Sequence, residues 1–296
     1  MRSVDTMIEA DVEVGPRPGL GQLSQRDFDR LAAFIQDYSG IKMPMSKKTM
    51  LEGRLRRRLR SHGLATFDAY CRFLFDDGGL EDEAPHLIDV VTTNKTDFFR
   101  EPEHFDFLMS HLLPAMLGDG RGRASTPIKI WSAASSTGAE AYTLAMLMAE
   151  ARRRVPDLTT YILGTDICHD VLSTAVDGIY PEAMLEPIPE ELRRLYTRRG
   201  RGRARGQFRM APELRAQVHF GRLNLMDSSF PVDRDMDLIF CRNILIYFDK
   251  PTQQRVLERL TEHLRPGGHL VLGHSESFSG RSLPLKQVVA TVFRKV

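Results

Sequence analysis

A turn of small residues, Ser132-Ala133-Ala134-Ser135-Ser136-Thr137-Gly138, joins an apolar run to a helical pattern, and Asp166 ends the next apolar run 28 residues after Gly138. A backbone without large side chains lets a ligand approach closely. In an open α/β sheet both positions fall at the carboxyl ends of strands, where ligands bind, and an acid at the second accepts hydrogen bonds from ribose hydroxyls. The bland alternative is a turn that packs a helix on the sheet and an Asp166 that caps a helix; turn and acid together favour a nucleoside. No GxxxxGK phosphate loop occurs, the turn holds no lysine, and the GxGxxG dinucleotide fingerprint is absent. Gly273-His274-Ser275-Glu276-Ser277 is close to a nucleophile elbow, but serine stands where the tight turn needs its second glycine, which argues against a hydrolase. Cys168 and His169 are adjacent instead of at ligand spacing, no HExxH occurs, and the nine histidines form no cluster along the chain, so no metal site is expected.

These residues need a sheet to hold them. Ile128–Ala133, Tyr161–Asp166, Met236–Cys241 and His269–Gly273 read as strands, the last after the turn Pro266-Gly267-Gly268. Helical patterns alternate with them, through Ala141, Leu144, Ala145 and Met148, and through Val256, Leu257, Leu260 and Leu264. The alternation predicts an α/β fold with a doubly wound, mostly parallel sheet, and Gln287 to Phe293 returns as a C-terminal antiparallel strand. The stretch from Pro181 to Gly221 breaks the alternation. Its β-like pieces around Tyr196, Phe208 and Val218 predict a small antiparallel insertion at about 181–221, since a structureless loop of that length is improbable.

Ahead of the sheet, Ser24-Gln25-Arg26-Asp27 is a helix start, followed by Phe28, Leu31, Ala32 and Ile35 and stopped by Gly40. Leu51, Leu55 and Leu59 mark a second helix, Phe67, Tyr70, Cys71 and Leu74 a third, and Ala84, Leu87, Ile88 and Val91 a fourth. Phe105, Leu108, Met109 and Leu112 give one more. The expected organisation is a disordered tail at 1–22, a helical unit at 23–91 and an α/β unit at 92–296. A chain of 296 residues fits two units better than one core. No run approaches ~20 apolar residues, so no membrane insertion is expected, and the acidic start has no signal-peptide core. Three scattered cysteines suit a reducing cytosol. The net charge of +2 hides two acid-free basic runs, five arginines from Arg54 to Arg60 and eight from Arg193 to Arg209, in an otherwise acidic chain. Such patches are either docking surfaces for acidic partners or solvated faces.

Four runs resemble the signature of the chemoreceptor glutamate methyltransferases, the CheR family. They are Thr92-Thr93-Asn94-Lys95-Thr96-Asp97-Phe98-Phe99-Arg100-Glu101, Trp131 to Gly138, Cys241-Arg242-Asn243-Ile244-Leu245-Ile246-Tyr247-Phe248-Asp249, and Gly273 to Phe278. They occur in the family's order over nearly the whole chain after the tail. The resemblance implies a class I S-adenosylmethionine fold after a helical receptor-docking domain, with methyl transfer to glutamate carboxylates of methyl-accepting chemotaxis receptors and S-adenosylhomocysteine as product. It implies cofactor contacts from Asn94, Thr96, Arg100, Glu140, Asp166, Asn224, Leu225, Arg242 and Asn243. Asp166 would hold the ribose, Glu140 the amino group, Arg100 the carboxylate or the incoming glutamate, and Asn224-Leu225 the adenine. Arg100 and Tyr247 are the expected catalytic residues, acting by orientation. Many relatives flank the matched glutamate with an acid and a proline; Ala139 and Ala141 stand there instead.

The acceptor carboxyl, with a pKa near 4.3, is already a nucleophile at neutral pH and needs no general base. Arg54, Arg56, Arg57, Arg58 and Arg60 are the expected docking surface for glutamate-rich receptor helices. Arg199, Gly200, Gly202 and Gly206 resemble the loop of relatives that bind a receptor's C-terminal tether peptide, with a solvated loop as the alternative. A cytoplasmic monomer recruited to receptor arrays is expected, without nucleic acid. Two competing functions are an RNA or other protein methyltransferase using the Arg/Gly-rich insertion, and a cofactor-binding signalling module without turnover. Against the former, the Pro-Pro element of amine-methylating enzymes is missing, with Asn243-Ile244-Leu245-Ile246-Tyr247 in its place.

Overall fold

A computed structural model describes residues 21–276 and 283–296. Most of the expected tail, and the motif residues Ser277 and Phe278, lie outside the described residues. Helix α1 (Gln25–Ser39) starts where the Ser24 side chain accepts the Asp27 N–H, and ends at Gly40 in the left-handed conformation. Helices α2 (Lys48–Ser61), α3 (Phe67–Phe75) and α4 (Leu80–Val91) follow, each burying its expected apolar stripe.

Two arginines of α2 face inward. The Arg54 guanidinium donates to the Val91 and Thr92 carbonyls at 2.5 and 2.7 Å, satisfying orphan acceptors at the end of α4. Arg58 makes a bidentate pair with Glu83 at 2.6 and 2.5 Å. The same carboxylate meets His62 Nε2 and the Tyr70 hydroxyl, each at 2.8 Å, and is 2 % exposed. Burial alone would raise the Glu83 pKa; the three partners hold it below the ordinary range. Arg56, Arg57 and Arg60 remain exposed, with Arg57 3.2 Å from Asp170.

Helix α5 (Glu103–Phe107) runs through a π-helical turn at Leu108–Leu112 into α6 (Leu113–Gly118). The alternating part then comprises β1 (Ile128–Ala133), α7 (Ala139–Arg154), β2 (Thr160–Asp166) and α8 (His169–Asp177). An excursion holds β3 (Ile179–Pro181), α9 (Glu190–Tyr196), β4 (Thr197–Arg199), β5 (Gln207–Met210) and α10 (Pro212–Arg215). The chain returns as β6 (Val218–Arg222), β7 (Met236–Cys241), α11 (Lys250–His263), β8 (Leu264–Leu272), β9 (Leu285–Val289) and β10 (Val292–Lys295).

The main sheet has seven strands in the order β6-β2-β1-β7-β8-β10-β9. The first five are parallel; β10 pairs antiparallel with β8 on one side and with β9 on the other. Strand order reverses between β1 and β7, which opens a crevice at their carboxyl ends. One apolar cluster lies between α1–α4, α11 and one face of the sheet; the other packs α5–α7 and the excursion on the opposite face.

The fold differs from the sequence reading at four places. The Val218 piece is not in the insertion: β6 pairs with β2 in the main sheet, and the small sheet, ordered β3-β5-β4, takes Ile179–Pro181 instead. Tyr196 ends a helix, with the strand starting one residue later. The C-terminal run is a hairpin, turned at Ala290-Thr291, where Thr291 has φ 63°. Leu264 opens β8 instead of closing α11, because the Pro-Gly-Gly turn is absorbed as an irregularity within one strand. Among the described residues no helix is long and apolar enough to cross a membrane.

Arg58→Ala leaves a buried carboxylate without its main partner. The expected loss is about 3–5 kcal/mol, read as a lower urea midpoint; unchanged stability would mean that Arg58 serves the surface and not the helical unit.

Candidate active site

The crevice is a cleft of about 1110 Å³, open solvent at its mouth included. All ten residues expected from the sequence to contact cofactor or acceptor line it: Asn94, Thr96, Arg100, Glu140, Asp166, Asn224, Leu225, Arg242, Asn243 and Tyr247. The sequence reading missed the far wall, made by Ser39, Ile41, Met43, Lys47 and Met50 between and on α1 and α2. Its one sequence signal was an apolar Ile41-Lys42-Met43-Pro44-Met45 run just after a helix stop.

The turn after β1 is fixed from behind. Asp166 accepts the Ser136 N–H at 2.8 Å and the Cys168 N–H at 3.0 Å, while Ser136 Oγ donates to the Asn94 carbonyl at 2.8 Å. Burial pushes the Asp166 carboxyl up, against the pull of these backbone donors. Asn224 is partly engaged in the protein: its amide donates to the Tyr38 carbonyl at 2.6 Å and its oxygen accepts the Met226 N–H at 3.0 Å. That ties the loop after β6 to the end of α1 and sets Leu225 in the cleft wall. Arg100 donates to the Lys95 carbonyl at 3.1 Å and is half-buried. The Tyr247 carbonyl accepts the Lys42 N–H at 3.0 Å, and Lys47 Nζ lies 5.7 Å from the centre of its ring.

Arg242 stands at the centre. Its guanidinium reaches Glu140 at 2.9 Å and Glu101 at 3.0 Å, and also donates to the Arg100 carbonyl. Glu140 accepts in addition from Ser132 Oγ at 2.6 Å. Glu101 accepts from Asn243 Nδ2 at 3.0 Å and from the His274 N–H at 3.2 Å. Burial opposes ionisation of Glu101, yet Asn243 and Arg242 bring its pKa down to about 2.

The loop carrying Arg242 and Asn243 is held by a residue the sequence reading did not single out. The buried Glu276 carboxylate accepts four backbone N–H groups, from Asn243 at 2.9 Å, Ile244 at 2.8 Å, Leu245 at 2.7 Å and Gly273 at 2.7 Å. Burial raises its pKa while the four donors oppose that. A Cβ at Gly273 would come within 2.6 Å of Asn243 Nδ2 and 3.0 Å of Glu276, so a side chain there would displace the loop. The near-match to a nucleophile elbow is therefore a carboxylate clamp. Seven non-glycine residues have positive φ among the described residues, and five of them, Phe99, Glu101, Ala134, Ser136 and Asn243, lie on the loops around the cleft. Strain of this kind persists where surrounding contacts over-determine the backbone.

Residues 94–294 match the family described as CheR methyltransferase, SAM binding domain, and residues 26–92 match CheR methyltransferase, all-alpha domain. The chain belongs to the CheR family. It is 38% identical over 270 residues to chemotaxis protein methyltransferase 2 of Pseudomonas aeruginosa, covering 91% of this chain and 93% of that one. It is 39% identical over 258 residues to the chemotaxis protein methyltransferase of Escherichia coli, covering 87% and 86%. With that of Borreliella burgdorferi the identity is 35% over 275 residues, covering 92% and 95%. This CheR-family chain is an S-adenosylmethionine-dependent methyltransferase of chemotaxis. The cleft fits the cofactor: Ser135 Oγ is buried on its wall with no partner, and acids, amides and Arg100 together match a ligand bearing hydroxyls, an ammonium and a carboxylate.

Glu276→Gln replaces an acceptor of four N–H groups by an amide that must turn its own N–H₂ toward some of them. Each unsatisfied donor costs about 1–3 kcal/mol. The expected result is a lower melting temperature together with at least tenfold weaker S-adenosylmethionine binding by calorimetry. Retention of both would show that the clamp does not set the loop.

Proposed function

We propose that the chain transfers methyl groups to glutamate side chains of chemoreceptors, forming methyl esters, and that the cleft residues divide the work as follows. Asp166 holds the ribose, Glu140 the ammonium group, and Leu225 with Ile41 and Met43 the adenine. S-adenosylmethionine supplies an electrophilic methyl on a cationic sulfur. Arg100 and Tyr247, on opposite sides of the Arg242 loop in sequence, orient the acceptor carboxylate. Asn94, Thr96 and Asn243 shape the wall against which it lies.

The observation that carries this reading is the make-up of the cleft. It has the carboxylates of Asp97, Glu140 and Asp166 and the cations of Arg100, Arg242, Lys47 and Lys95 in place, but no histidine among its described lining residues. A carboxylate acceptor is ionised near neutrality and requires positioning more than deprotonation.

We further assign the helical unit, 23–91, to receptor docking and 92–296 to methyl transfer. With Arg54 and Arg58 turned inward, docking falls to Arg56, Arg57 and Arg60, whose charges suit a glutamate-rich helix. The excursion supports a tether reading. Strand β4 is an edge of the small sheet, Gly202 and Gly206 have φ 58° and 85°, and a Cβ at Gly200 would lie 2.0 Å from the Ala204 carbonyl oxygen. An edge of this kind can accept an extended peptide as a further strand. Arg199 is paired at 3.3 Å with Glu182, which leaves Arg201, Arg203 and Arg205 for a carboxylate.

Incubation with methyl-labelled S-adenosylmethionine and receptor membranes, followed by mild alkali, tests the reaction. Label released as volatile methanol is expected. Alkali-stable label, in RNA or in amines, would replace the proposal.

A further inference from the structure

His104 and His274 are 170 positions apart in sequence, yet folding places their rings with centroids 4.8 Å apart beside Glu101. One ligand atom from each of the three residues falls within 4.8 Å of the others. The expectation that the histidines form no cluster fails here, because the contact is made by the loop after β8 folding over α5.

His104 is held between Thr291 and Glu101. The Thr291 hydroxyl lies 2.6 Å from the Ala290 carbonyl, to which it donates, and 2.7 Å from His104 Nε2, which donates to it in the Nε2–H tautomer. In that tautomer Nδ1 carries the lone pair. That Nδ1 is buried without a hydrogen-bond partner, on a residue only 4 % exposed. It lies 3.5 Å from Glu101 Oε2, which is also an acceptor. In the Nε2–H tautomer two acceptor atoms face each other in a buried place, an arrangement that a cation resolves. A second ring nitrogen fixed by a hydrogen bond is the usual support of a metal-binding histidine. For tetrahedral Zn²⁺ with ligands at about 2.0–2.1 Å, neighbouring donor atoms sit roughly 3.3 Å apart. The His104–Glu101 separation already matches, and exposed His274 closes the remainder while leaving one position to water.

We propose that Glu101, His104 and His274 bind a borderline transition-metal ion of the Zn²⁺ class, and that binding slows methyl transfer. Glu101 has one carboxylate to share: a metal on it weakens its bonds to Arg242 and Asn243 and so loosens the loop beside the cleft. Softer ligands do not compete, since Cys71, Cys168 and Cys241 are buried and apart. The inhibitory half rests on the methyltransferase reading; the binding half does not.

The test is titration of the full chain with Co²⁺, as a spectroscopic stand-in, and with Zn²⁺ by calorimetry, comparing parent and His274→Ala. His274→Ala keeps the backbone N–H to Glu101 and removes only an exposed ring. Expected are one site with d–d absorption, at least tenfold weaker in the variant, and several-fold slower methyl transfer with Zn²⁺ in the parent alone. Equal metal affinity in the two proteins, or no uptake, would overturn the site. Metal binding lost in the variant, with the parent's rate unaffected by Zn²⁺, would overturn inhibition. A metal-free parent that transfers no methyl counts instead against the proposed reaction, and Co²⁺ binding still decides the site.

Discussion

The guanidinium of Arg242, a residue 7 % exposed, lies between the carboxylates of Glu101 and Glu140 at 3.0 and 2.9 Å. Each of the three comes from a different segment: the loop after β7, the loop before α5 and the first turn of α7. A buried cation with two anions costs heavily to desolvate, and an apolar trio of the same volume would often be no less stable. What the charges contribute is definition. With both anions bonded, the guanidinium fixes the relative positions of the loops, and Glu101 extends the restraint to Asn243 and to the backbone of His274. Glu276 fixes the same loop from the other side through four backbone donors. Neither carboxylate reaches solvent freely, so the cleft wall is set by electrostatics inside the protein.

The helical unit is part of this site as well as a neighbour to it. Its apolar core is continuous with one face of the sheet. The segment between α1 and α2 closes the cleft with Ile41 and Met43, while Lys42 bonds to the Tyr247 carbonyl. Tyr38 receives Asn224 on its carbonyl and Arg222 on its hydroxyl. A displacement of the helices would therefore be felt at Tyr247 and Asn224, both on the cleft.

Much of the arrangement was readable from sequence because it is local. The turn after β1, Asp166 at the end of β2 and the Asn243 loop are each written as short contiguous runs, and strand–helix alternation dictates that they meet at one sheet edge. What escaped depends on pairing between distant segments. Nothing in the five-arginine run distinguishes Arg54 and Arg58 from Arg56; only the packing of α2 against α4 turns them toward the Val91 carbonyl and Glu83. Val218 reads as a strand either way, and its assignment to the main sheet needs β2 as its parallel neighbour. Glu276 looked like part of a failed hydrolase elbow because its four partners are N–H groups, which leave no trace in residue types. The same holds for His104 and His274.

The chemistry asks the chain to position and not to transfer protons. The acceptor carboxyl ionises near pH 4.3, Glu101 near 2 and His104 near 4, so none of these changes charge around neutrality. The direct measurement is kcat/KM for a glutamate-bearing receptor fragment from about pH 6 to about pH 9 at fixed ionic strength. A flat profile is expected. A rate that climbs tenfold per unit through an apparent pKa of roughly 7–8 would reveal an essential general base, and would contradict transfer by positioning alone.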